Sequence, residues 1–131
     1  MATGDNLKIA ATTQPHVLIV DDDANTREGL CTLLQIHGYS AVVAANGADG
    51  LRKLREGLRP CLILLDLVMP EKNGFQFRVE QIVDPVLANI PVVIYSGDAD
   101  AEARGAVLGG VACLAKPVDV AKLLHVVKVY C

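Results

Sequence analysis

Short, almost uniformly apolar runs alternate along this chain with longer segments of helical periodicity. Five of the runs read as strands: Val17–Val20, Ser40–Ala44, Cys61–Asp66, Pro91–Ser96 and Val111–Ala115. Three of these are apolar nearly throughout instead of alternating, as strands are when helices cover both faces of a parallel sheet. Five helical stretches stand between and after them, and such alternation implies right-handed crossovers. The fold class that follows is α/β, a doubly wound five-stranded parallel sheet with helices on both faces.

The first helix is expected from about Thr26 to His37, with Asn25 as N-cap, Glu28 as its capping-box partner and Gly38 as its stop. The second runs from about Gly47 to Glu56, capped by Asn46 and ended by Gly57. In the third, about Gly74 to Val83, Phe75, Val79, Ile82 and Val83 share a face expected to pack on the sheet. The fourth, about Ala99 to Leu108, has mostly alanine for its apolar face and carries Gly105, so it is the least anchored. The last, about Val118 to Tyr130, shows Val120, Leu123, Leu124 and Val127 as a core stripe. Val126, Val129 and Tyr130 lie partly off it, open to a partner or to further core contact.

One domain accounts for 131 residues of which 52% are hydrophobic. Residues 1–15 read as a flexible polar tail and 16–131 as the folded domain. A net charge of −3 gives no basic footprint for nucleic acid. No stretch approaches the roughly 18 apolar residues of a membrane span, and the start lacks the pattern of a signal peptide, so the expected location is cytoplasmic. Cys31, Cys61, Cys113 and Cys131 have no metal-like spacing and lie in or beside apolar stretches. They are expected to be buried reduced thiols, not a zinc site or a disulfide framework.

The chemistry is concentrated where the apolar runs stop. Asp21-Asp22-Asp23 follows the first run, Asp66 ends the third, Ser96-Gly97 ends the fourth and Lys116-Pro117 follows the fifth. Carboxylates gathered at the exits of buried strands repel one another unless a cation or a phosphoryl group is present, so the pattern points to metal-assisted phosphate chemistry.

Acid cluster, single Asp, hydroxyl and Lys, in that order at successive strand ends, resemble the receiver domain of two-component response regulators, of the chemotaxis-regulator kind. The resemblance extends from about His16 to the end of the chain and implies the flavodoxin-like strand order 2-1-3-4-5. It further implies that Asp66 takes a phosphoryl group from a histidine kinase or histidine phosphotransfer protein. Mg2+, or Mn2+ in its place, would be held directly by Asp22, Asp66 and the carbonyl of Val68, and by Asp21 largely through water. Asp23 would face solvent. Lys116 would pair with Asp66 and then with a phosphoryl oxygen, and Ser96 would donate to another. A cis Lys116-Pro117 bond and the turn residues Met69-Pro70 and Asn73-Gly74 complete the likeness.

The implied function is that of a phosphoacceptor regulatory domain, not an enzyme, which changes its affinity for an output protein on phosphorylation. Partners implied or allowed are the phosphodonor, that output protein and a second copy through the face of the fourth helix, fifth strand and fifth helix; nucleic acid and membrane are not among them. One alternative is an intermediate receiver in a phosphorelay. An FMN-binding flavodoxin-like protein fits less well, because Asp21-Asp22-Asp23 would repel an uncompensated phosphate. An aspartyl-phosphate hydrolase usually needs a second acid two residues after its nucleophile, where this chain has Val68. The aromatic residue that many receivers carry three positions before the lysine is here Cys113.

Overall fold

A computed structural model describes residues 16–67, 69, 72–97 and 109–131. The expected tail at 1–15, Val68, Pro70, Asp98 and the fourth predicted helix lie outside the described residues. Five strands, β1 (Val17–Val20), β2 (Ala41–Ala44), β3 (Leu62–Asp66), β4 (Val92–Ser96) and β5 (Ala112–Ala115), form one sheet in the order β2-β1-β3-β4-β5. Every neighbouring pair is parallel. The expected α/β class and strand order are thus those observed.

The uniform apolarity of β1, β3 and β4 has the reason inferred for it, since every residue of these strands is buried. Alternate residues serve opposite faces. Leu18, Val20, Ile63, Leu65, Val92 and Ile94 meet α2 (Gly47–Arg55) and α3 (Gly74–Val83) through Leu51, Leu54 and Phe77. Val17, Ile19, Leu62, Leu64, Val93 and Tyr95 meet α1 (Ala24–Ile36) and α4 (Val120–Tyr130) through Leu30, Leu34, Leu123 and Val127.

Four local expectations need correction. Helix α1 is capped by Asp23, not Asn25: the Asp23 carboxylate accepts from the Asn25 N–H at 3.3 Å and the Thr26 hydroxyl at 2.5 Å. An aspartate satisfies the free N–H groups of a first turn as well as asparagine does, so the helix starts two residues early. On α3 the buried residues are Gly74, Phe77 and Gln81, with Phe75 partly buried, whereas Val79, Ile82 and Val83 are exposed. The inward place goes to a glutamine because its amide donates to the carbonyls of Leu87 and Ile90, each at 3.0 Å, and so holds the loop that leads to β4.

Val120 is exposed, because it is the first residue of α4 after the Asp119 cap; Leu123 and Val127 carry the buried stripe. Finally, Cys61 and Cys131 are not free thiols but a disulfide, with Cα atoms 5.5 Å apart across a separation of 70 residues. It ties the end of α4 to the start of β3. Cys31 and Cys113 lie outside the disulfide and are partly buried. No helix among the described residues is long and apolar enough to cross a membrane.

Candidate functional site

Strand parity assembles the site. The β1–β3 register pairs Val20 with Leu65, so Asp21 and Asp66 stand side by side as the next residues, at the carboxyl ends of adjacent central strands. Asp66 in turn pairs with Tyr95, and Tyr95 with Leu114. Asp66, Tyr95 and Leu114 therefore form one row running across the sheet, and Lys116, two residues past Leu114, has the same parity. In open α/β sheets this edge, where the strand order reverses, is where ligands bind.

Asp21 is fully buried and Asp66 is 3% exposed, while Asp22 is exposed. Oxygens of the three carboxylates lie within 4.8 Å of one another. Lys116 is the cation that faces them, its Nζ 3.2 Å from Asp66 Oδ2 and 3.4 Å from Asp21 Oδ2. Burial disfavours the charge on Lys116, but Asp66 and Asp21 outweigh it and hold the ammonium pKa above its ordinary value. Lysine therefore stays charged at neutral pH.

The backbone at Lys116 is fixed by its N–H donating to the Ser96 carbonyl at 3.0 Å and by a cis Lys116-Pro117 bond, as expected. Ser96 itself is buried at the end of β4. After β3, Gly74 N–H donates to Leu67 O at 3.1 Å, and Asn73 and Gln76 close a reciprocal capping box at the start of α3. The expected turn residues Asn73-Gly74 thus bring that helix start beside Asp66.

Two contributors escaped the sequence reading. Arg27 Nη1 donates to the Asp21 carbonyl at 2.8 Å, fixing the backbone that carries the acids. Tyr95 donates its phenol to Asp21 Oδ2, and the Lys116 ammonium lies 4.7 Å from the centre of its ring. Burial first, and then the Asp21 carboxylate, push the phenol pKa far up, so the hydroxyl remains a donor at any physiological pH. In the sequence Tyr95 reads only as the end of an apolar strand. The available signal was its parity with Asp66.

Among the described residues, three carboxylates against one ammonium leave an excess of negative charge on hard oxygen donors, the donor set that suits Mg2+. The donors present fit that ion.

The family model for the response regulator receiver domain matches residues 17–128. The chain belongs to the receiver domains. It is 34% identical over 114 residues to PilH of Pseudomonas aeruginosa, covering 86% of this chain and 93% of that protein. It is 35% identical over 114 residues to the transcriptional regulatory protein CpxR homolog of Haemophilus influenzae, spanning 86% of this chain but about half, 48%, of that relative. Among solved structures, a response regulator receiver protein from Pseudomonas putida superposes with a TM-score of 0.80 at 35% identity, covering 88% of this chain and 97% of the other. The chemotaxis protein CheY4 of Vibrio cholerae gives 0.78 at 27% identity with the same coverage of each chain. Receivers are regulatory domains of two-component systems, and Mg2+ and phosphorylation are typical of the family.

Proposed function

We propose that this receiver accepts a phosphoryl group on Asp66 and thereby switches its affinity for a protein partner. An Asp66 carboxylate oxygen forms the new bond to phosphorus as the phosphorus–nitrogen bond to the donor's histidine breaks, and the released imidazole takes up a proton. Transfer of this kind is mostly a matter of positioning and electrostatics. Lys116 holds one phosphoryl oxygen after releasing Asp66, and the Ser96 hydroxyl donates to another. Asp22, Asp66 and the Val68 carbonyl would hold a magnesium ion, with Asp21 acting largely through water, and its charge would offset that of the carboxylate and the incoming group. The acceptor domain works on its own phosphoryl group only, in the cytoplasm.

The single observation that carries this reading is a nearly buried Asp66 with an ammonium 3.2 Å away and two further carboxylates within 4.8 Å. A buried acid in such company is poised to gain a ligand. The phosphodonor is a histidine kinase or histidine phosphotransfer protein, and both donor and output partner are proteins and not nucleic acid. A groove of about 340 Å³ lined by Leu30, Leu33, Tyr95, Lys116, Pro117 and Val118 gives the donor an apolar seat beside the lysine. Pairing of two copies would use a face that includes residues outside those described.

Acetyl phosphate with magnesium, followed by intact-mass measurement, tests the assignment. The parent chain gains one phosphoryl group and Asp66→Asn gains none. An equal gain in the variant would place the acceptor elsewhere.

A further inference from the structure

The Asp21 carboxylate is fully buried and takes three donors: the Asp23 N–H on Oδ1 at 2.8 Å, and on Oδ2 the Tyr95 phenol together with Lys116 at 3.4 Å. A carboxylate offers about four acceptor directions, so three donors fix its rotation and leave roughly one direction free. The same tyrosine ring lies under the Lys116 ammonium, within the range of a cation–π contact.

We propose that Tyr95 is a positioning residue of the acidic site, its hydroxyl orienting the Asp21 carboxylate and its ring seating Lys116 between Asp21 and Asp66. The inference rests on the reading of Asp21, Asp22 and Asp66 as the magnesium site. Lys116 is shared almost evenly, at 3.4 and 3.2 Å, between two acids. Without the phenol, Asp21 Oδ2 would keep only its longer contact with Lys116 and would compete more strongly for it. The carboxylate would be freer to turn, and the lysine would be drawn from Asp66. Tyr95 therefore governs both the metal end and the lysine end of the site without itself touching the phosphoryl group.

A buried tyrosine commonly finds some partner for its hydroxyl. The test must therefore read the metal site and not stability alone. Magnesium titration of the full chain by calorimetry compares the parent, Tyr95→Phe, Asp21→Asn and the double variant. Loss of a hydrogen-bond partner behind a carboxylate that holds the ion largely through water is expected to weaken affinity by up to about tenfold. If Tyr95 acts through Asp21, its replacement changes affinity by less than about twofold in the Asp21→Asn background.

The chain has three tyrosines and no tryptophan, so the phenols dominate its near-ultraviolet absorption. Tyr39 packs against His16, at the start of β1 and far from the acids. Magnesium should perturb the tyrosine spectrum of the parent, and Tyr95→Phe should abolish that change; this arm also decides the matter should the variant fold too poorly for calorimetry, since an unperturbed parent spectrum overturns the inference. Unchanged affinity in Tyr95→Phe, or equal weakening in both backgrounds, overturns it while leaving the metal site intact. No magnesium binding by the parent removes the metal reading, and this inference with it.

Discussion

The two ends of the sheet are built on opposite principles. At the amino end the groups satisfy one another: His16 O accepts from Cys61 N at 2.8 Å, Ser40 O accepts from Val17 N at 3.2 Å, and Ser40 N donates to His16 Nδ1 at 3.0 Å. The Cys61–Cys131 disulfide closes that end covalently. At the carboxyl end three carboxylates crowd within 4.8 Å of one another against one ammonium. Like charges at this range, only partly offset by Lys116, destabilise the fold until a further positive charge joins them. One end secures the chain and the other is left responsive, so removing the crosslink at one end and an acidic charge at the other should differ in sign.

The largest effect belongs to the amino end. A crosslink over 70 residues restricts the unfolded chain by roughly 4 kcal/mol in the chain-entropy view, and native disulfides commonly contribute about 2–5 kcal/mol. Cys131→Ser is expected to lower unfolding free energy in urea by about 2–4 kcal/mol, and a reductant should bring the parent to the same midpoint. Magnesium affinity should not change, because the crosslink lies across the sheet from the acids. A reductant-insensitive midpoint would remove the contrast between the ends.

A second, smaller loss sharpens the comparison by separating steric from electrostatic effects at the carboxyl end. A Cβ on Gly74 would lie 2.7 Å from the Asp66 carbonyl oxygen and 2.8 Å from Leu67 Cα, both backbone atoms with little room to give. Gly74→Ala should therefore cost about 1–3 kcal/mol. It should also slow phosphoryl uptake on Asp66, since the displaced backbone carries that residue. Parental stability together with a parental rate of uptake from acetyl phosphate would show that the α3 start can retreat freely.

What the sequence disclosed follows the same division. The sheet was legible because strands buried on both faces lose their alternation, as β1, β3 and β4 do. The acids were legible because carboxylates have no ordinary reason to gather at buried strand ends. The disulfide was not, since two cysteines 70 residues apart carry no local pattern and only the docking of α4 brings them together. The buried face of α3 was misread because periodicity ranks valine and isoleucine above glutamine, while Gln81 is retained inside by two carbonyls that no pattern announces. Tyr95 hid for the opposite reason. Its ring fits an apolar run so well that its hydroxyl drew no notice.

The smallest effect has the opposite sign and is the most direct test of the contrast. Asp22 is the exposed member of the acidic cluster, so its repulsion with Asp21 and Asp66 acts through partly screened surroundings, and unit charges near 4.8 Å then interact by about 1 kcal/mol. Asparagine keeps the shape and removes that charge. With magnesium absent, Asp22→Asn should therefore raise stability by about 0.5–1 kcal/mol, or about 2–4 °C in melting temperature for a chain of this size. With magnesium present the sign reverses, because the variant has lost a ligand and the stabilisation that grows with ligand concentration over Kd shrinks. Melting curves of both proteins with and without magnesium are expected to cross in rank. A variant that melts lower without metal, yet gains as much from magnesium as the parent, would mean that Asp22 is a structural surface residue and that the carboxyl end is not held in electrostatic tension.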